Sequence, residues 1–239
     1  MTAPDLWVAT SKWERTYPGA SAGLLALRNV TNPKSHPALD DARQRLESDL
    51  RARYAGMSRA EIRATGHFPA NDTYYKRFGQ NYHVLMQLDS IVNKGKAIPR
   101  RAALVEASFM AELDHGILTA SHDLNLLSLP ITLDVAGSNQ DYVLYNGSTQ
   151  ICKPDDMLMQ DGNGILTSII SGPAEYARIT PDTNAVVYCV YAPAGISGAD
   201  VRDHLETIER TVRLFAPNAE SIGLLTITAP AAPAVSDAP

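Results

Sequence analysis

The hydrophobic period of this chain switches from helical to strand-like near residue 117, and that switch limits the folds open to it. Before it, apolar residues recur at helical spacing. In PALDDARQRLESDLRARYAG, Leu39, Ala42, Leu46, Leu50 and Tyr54 form one stripe. Acids crowd its first turn, arginines its last, and Gly56 follows as a stop. SRAEIRATG opens on Ser58 with Glu61 three residues later, the capping-box spacing. NDTYYKRFG reads as a short helical or turn segment. YHVLMQLDSIVNKGK carries Val84, Leu85, Leu88, Ile91 and Val92 on one face. PRRAALVEASFMAELDHG is expected to start its helix at Pro99 and end it at Gly116.

After the switch the runs are strand-like: ITLDVA, DYVLYNGST, MLMQDGNGILTSII and NAVVYCVYA, with NGS and DGNG as hairpin signals. GADVRDHLETIERTVRLFA returns to a helix and GLLTITA to a strand. Short β-prone runs, LWVAT and GLLALRNV, precede the first helix. The order predicts an α+β domain with helices packed on mainly antiparallel sheet, over residues 1–225. Residues 226–239, rich in Pro and Ala, are expected to form a disordered tail.

Apolar residues make up 45% of the 239-residue chain, ample for a core, and no run reaches the ~20 residues that span a bilayer. MTAPDLWVATSKW lacks the charged and apolar regions of a secretory signal, so a cytoplasmic location is expected. Cys152 and Cys189 stand far apart without a Cys/His cluster, so neither metal nor cofactor is expected. The net charge of −5 argues against tight phosphate binding by the whole surface. Arg43, Arg45, Arg51 and Arg53 alternate with acids and read as a solvated helix face. The denser KGKAIPRR places Lys94, Lys96, Arg100 and Arg101 as a candidate phosphate patch, with a plain charged loop as the other reading.

No GxSxG, HExxH, P-loop or GxGxxG motif is present. Of the six histidines, His122 is singled out because TASHD reads as the junction between the helical and β halves. Ser171-Gly172-Pro173-Ala174-Glu175 interrupts two β runs with small residues whose amides can approach a ligand, followed by a carboxylate. An ordinary loop with a solvated Glu175 is the other reading.

Read together, these segments resemble the free-standing B3/B4 family, which is similar to the tRNA-editing module of the bacterial phenylalanyl-tRNA synthetase β subunit. The resemblance runs over about residues 70–215. It lies in YYKRFGQN, KGKAIP with RRAALVEASFM, ILTASHDL, YNGST and SGPAEYARITPDTNAVVY. It implies one compact unit that hydrolyses mischarged aminoacyl-tRNA. It places Glu175 on the glutamate that reads the amino acid, Gly172 and Ala174 near the pocket-lining small residues, and Ala120 where the synthetase carries a histidine.

The resulting expectation is a trans-acting deacylase with tRNA as partner. Backbone amides of residues 171–174 would hold the ester, Glu175 would bind a polar group of the amino acid, and His122 or Thr119 would orient the water. Two alternatives stay open: a non-catalytic tRNA or amino-acid binding module, and a small-molecule enzyme reusing the pocket. Which amino acid, which tRNA and which oligomeric state are involved is not written in the sequence.

Overall fold

The computed structural model describes residues 3–231, so residues 232–239 of the expected tail lie outside the described residues. Along the chain run α1 (Ala3–Leu6), β1 (Trp7–Ala9), α2 (Ser11–Thr16), β2 (Ser21–Arg28), α3 (Pro37–Arg53), α4 (Arg59–Arg63), α5 (Phe68–Arg77), α6 (His83–Val92) and α7 (Ala103–His115). The β half follows with β3 (Leu118–Asp123), β4 (Ile131–Val135), β5 (Asp141–Val143), β6 (Thr149–Ile151), β7 (Met157–Asp161), β8 (Gly164–Ser168) and β9 (Gly172–Pro173). The chain continues through β10 (Ala185–Ala192), α8 (Gly198–Arg213) and β11 (Glu220–Thr228). The fold is α+β.

Two sheets face each other. One is antiparallel, in the order β11-β2-β10-β3; the other runs β1-β4-β7-β8-β9, with β1 and β4 the parallel pair. Every residue of β10 is buried, because the strand is covered on both faces, and its sequence AVVYCVYA accordingly shows no polar alternation. Val187, Cys189 and Tyr191 pack toward the second sheet, meeting Leu133, Met157, Met159 and Leu166 together with side chains of α5 and α6. Val186, Tyr188 and Val190 point the other way, onto α3, α7 and α8.

The stripe of α8 (Val201, Leu205, Ile208 and Val212) is fully buried there, each side chain contributing about 1.5–3 kcal/mol of burial. It approaches β2 closely. A Cβ built on Gly23 would stand 2.4 Å from Val201 Cγ1 and 2.8 Å from Leu205 Cδ1, so only glycine lets this helix and strand meet.

Several expectations need correcting. TASHD, expected as the junction between the helical and β halves, is itself a strand there: residues 118–123 form β3, paired with β10 from Leu118↔Tyr191 to Asp123↔Val186. Its polar residues hide it from a hydrophobic pattern because it is an edge strand with one flank open. α2 was not anticipated; Thr10 caps it, its side chain accepting from Trp13 N. α7 starts at Ala103 rather than Pro99, because its first amides are capped from elsewhere: Ala103 N donates to Pro33 O and Leu104 N to Asn32 Oδ1. β11 carries order past residue 225 to Thr228, and Ala229 N donates to Ala20 O. Finally, Arg43 is not solvated. It is buried against Glu106 at 2.7 Å and Asp40 at 2.8 Å, holding α3 to α7.

Asp156 ties the two halves together. Its buried carboxylate accepts from Tyr74 Oη of α5 at 2.5 Å, Ser168 Oγ of β8 at 2.6 Å and Ile170 N at 3.1 Å. Ser168 Oγ in turn accepts from Ser171 N, so this network shapes the turn at residues 168–171.

Candidate functional site

A cleft of about 560 Å³ opens where the outer edge of β3 meets α7 and the β8–β9 turn. Its walls include Leu118, Thr119, Ala120 and Ser121 from β3, and Ser108, Phe109 and Glu112 from α7. Ser168, Gly172 and Pro173 close the opposite side.

The edge position of β3 is what makes the cleft polar. The antiparallel alternation turns the backbones of residues 119, 121 and 123 away from β10. Thr119 N donates to Glu112 Oε1 at 2.8 Å and Asp123 N to Ala177 O at 3.0 Å. Ser121 N lies between them with no acceptor among the described residues, so the cleft wall carries a free backbone donor.

Glu112 is the unusual group. α7 is buried almost all round, and a charged residue survives such burial only when paired. Glu106 has Arg43; among the described residues Glu112 has no cation, only the Thr119 amide, and is 7% exposed. Burial therefore pushes its carboxyl up to about 8, partly offset by that amide, which keeps it protonated at neutral pH. Its Oε2 makes no hydrogen bond to the described residues. His83, nearby on the cleft wall, is also held below the ordinary histidine range by burial. Arg101 and Arg178 line the same cleft; both are exposed and neither pairs with a carboxylate among the described residues. Each guanidinium rests on a ring, Arg101 over Phe109 at 5.8 Å and Arg178 over Tyr145 at 5.9 Å.

The residues expected from sequence are divided by the fold. Thr119, Ala120, Gly172, Pro173 and Arg101 come together in the cleft. Glu175 does not: it is exposed and lines a separate groove with Asp141, Tyr142 and Asn163, because Glu175 N is tied to Val143 O of β5. Ala174 lines that groove too. The expected row of amide donors at residues 171–174 is already spent. Ser171 N donates to Ser168 Oγ, Pro173 has no N–H, Ala174 N donates to Leu166 O, and Gly172 stands opposite Ser168 in the β8–β9 ladder. In the basic loop, Lys94 pairs with Asp89 at 3.4 Å and Arg100 with Asp40 at 3.1 Å; Lys96 lines a shallower groove shared with Arg101.

His122 cannot orient a water in the cleft. It is 0% exposed on the inner face of β3, neither ring nitrogen has a partner among the described residues, and burial drives it down to about 3. A neutral, unsatisfied imidazole is a cost to the fold. His122→Leu is expected to raise stability by about 1 kcal/mol in urea melts at pH 7 and to leave any activity of the cleft unchanged. A loss of activity with the fold intact would return His122 to the site.

Sequence reasoning missed Glu112, Arg178 and His83. The signal for Glu112 was an acid inside a helix that is apolar on every side, with one arginine partner for two glutamates. Among the described residues no group of three or more His, Cys, Asp or Glu side chains is placed to hold a metal ion. No described helix is long and apolar enough to cross a membrane.

No family model and no curated protein matches this chain. Among solved structures, an N-terminal fragment of the phenylalanyl-tRNA synthetase β-subunit from Pyrococcus horikoshii is similar, with a TM-score of 0.49 and 10% sequence identity. The match covers 96% of this chain and 55% of that one, so the chain spans little more than half of the fragment it resembles.

Proposed function

We propose that this chain is a hydrolase of aminoacyl esters carried on tRNA, acting in trans, with the aminoacyl group held in the β3–α7 cleft. The observation that carries this reading is the pairing of an unpartnered buried carboxyl, Glu112, with two unpaired arginines, Arg101 and Arg178, on one cleft. An ammonium entering beside Glu112 would favour its carboxylate form, the proton leaving to water, and would donate a charge-assisted hydrogen bond to Oε2. The arginines suit the phosphate of a terminal nucleotide. Between them, the free Ser121 N–H suits the oxyanion that forms when an ester is attacked. An aminoacyl ester is activated already, so a positioned water and that donor are enough, with no obligatory metal.

The test is hydrolysis of a panel of correctly and wrongly charged tRNAs, including tyrosine on the phenylalanine tRNA and several non-protein amino acids. Selective loss of label from one mischarged species is expected, abolished in Arg101→Ala/Arg178→Ala and retained in Glu175→Ala. Activity lost in Glu175→Ala but kept in the double arginine variant would move the site to the other groove.

The pairing of Lys94 and Arg100 with acids, and the net charge of −5, favour a second reading in which the cleft takes a free amino acid or its small ester. Affinity for tRNA that falls steeply with salt supports the first reading; binding of the small ester alone, indifferent to salt, supports the second.

A further inference from the structure

Behind the cleft wall stands a chain of polar side chains that the reading above leaves unused. Thr119 Oγ1 lies 2.6 Å from His204 Nε2 on α8, and His204 Nδ1 lies 3.2 Å from His115 Nδ1 at the end of α7. His204 is 0% exposed, and among the described residues the only side-chain atoms it meets through hydrogen bonds are these two. His115 opens the chain to solvent: its side chain is 20% exposed, with Nε2 3.7 Å from Asp114 and 4.0 Å from Asp203. The surrounding charges are Arg53, which pairs with Asp114, and His67, whose Nδ1 meets His115 O and whose Nε2 lies 3.6 Å from Asp200. On the cleft side, Glu112 holds the Thr119 amide.

Two facing Nδ1 atoms share one proton. If His204 holds it, His204 Nε2 is bare and accepts from the Thr119 hydroxyl, whose lone pairs are then turned to other donors. If His115 holds it, His204 carries Nε2–H and donates to Thr119 instead. Passing from the first state to the second moves one proton across each link, Thr119 Oγ1 to His204 Nε2 and His204 Nδ1 to His115 Nδ1, which is what a relay requires.

We infer that Thr119, His204 and His115 form a proton relay for hydrolysis in the cleft, Thr119 touching the attacking water and the two imidazoles positioned to act through it. This rests on the reading of the cleft as an ester-hydrolysing site. The water oxygen bonds to the carbonyl carbon and gives one proton to Thr119 Oγ1, while the Thr119 hydroxyl proton moves to His204 Nε2 and the His204 Nδ1 proton to His115 Nδ1, where the positive charge faces solvent and Asp114. The carbonyl π electrons become an oxyanion at the Ser121 N–H. On collapse the bond to the ribose oxygen breaks, and that oxygen takes the proton back along the same route, leaving acid and alcohol. His204 is sealed from water, so the Thr119 hydroxyl is its route to the cleft.

Two measurements test this. The ¹⁵N shifts of the wild-type histidines report the tautomer without any substrate: His204 is expected as the Nδ1–H form with Nε2 bare. An Nε2–H tautomer overturns the relay whatever the protein hydrolyses. With the mischarged tRNA found active above, Thr119→Val and His204→Gln are each expected to lose about 100-fold or more in rate. Thr119→Ser, which keeps the hydroxyl, should stay within about tenfold. Folded His204→Gln should also lose the acid limb of the pH–rate profile, a change that a merely structural histidine would not produce. Wild-type rates in folded Thr119→Val and His204→Gln overturn the proposal. If wild type cleaves no charged tRNA, the ester reading has failed, and the relay is then decided by the tautomer alone.

Discussion

Asp156→Ala is expected to destabilise this protein by about 4 kcal/mol, because it strands two buried donors and a half-buried one at once. Tyr74 Oη and Ser168 Oγ lose their acceptor in buried surroundings, and the half-buried Ile170 N loses its own. For a chain of this size that corresponds to a midpoint about 8–16 °C lower in a thermal melt. Asp156→Asn keeps an acceptor oxygen, though its amide cannot accept from every donor the carboxylate serves, and it should fall in between. Urea melts with an unchanged m-value would show that the loss is one of stability rather than of denatured-state compactness. A shift under 1 kcal/mol for Asp156→Ala would mean the network is not what holds α5 to the second sheet. The site would suffer with the fold, since the same carboxylate shapes the turn at residues 168–171 beside the cleft.

Glu112→Gln is expected to have the largest effect on function for the smallest change of shape. If Oε2 receives the ammonium of a bound ester, losing the charge removes a charge-assisted hydrogen bond worth about 1.5–3 kcal/mol, a fall of about 10- to 100-fold in kcat/KM. The same substitution has an opposite signature in stability. The folded carboxyl titrates near 8 and the unfolded one near 4.5, so between those values the folded state holds a proton that the unfolded state has released. Stability contributed by this group is therefore complete below about pH 4.5, declines as pH rises, and is gone above about pH 8. The limiting slope is about 1.4 kcal/mol per pH unit. Glu112→Gln should remove that slope and gain stability relative to wild type at pH 8. Parallel pH–stability curves for the two proteins would refute the buried, protonated carboxyl. An unchanged kcat/KM would refute its contact with substrate.

The periodic parts of the sequence foretold the elements that bury a stripe or a face. α3, α6 and α8 follow their apolar spacing, and Val201, Leu205, Ile208 and Val212 are sealed on β2 as the pattern requires. β10 follows its unbroken apolar run. Ser58 and Glu61 form the capping box that their spacing announced. These features are local: a residue three or four positions away, or two, supplies the physical reason. The α+β order follows from the same patterns; the grouping of Ala120 and Gly172 in one site was implied only by the resemblance.

What escaped was whatever depends on a partner far along the chain. β3 carries too little apolar pattern to announce itself, because its stability comes from pairing with β10 some seventy residues later. The amides of residues 171–174 looked free until Leu166 O and Ser168 Oγ claimed two of them. Glu175 and Glu112 are both glutamates beside apolar residues. Only the tertiary structure decides that the first is tethered outward by Val143 O while the second is enclosed without a cation. Likewise His122 and His204 are both wholly buried histidines, yet one has no partner and the other stands between Thr119 and His115. The sequence by itself determined which segments would be helix or strand and which faces would be buried, since periodicity is a local consequence of backbone geometry. The structure decided which polar groups were left with unmet hydrogen bonds and charge, since that depends on what distant segments place beside them.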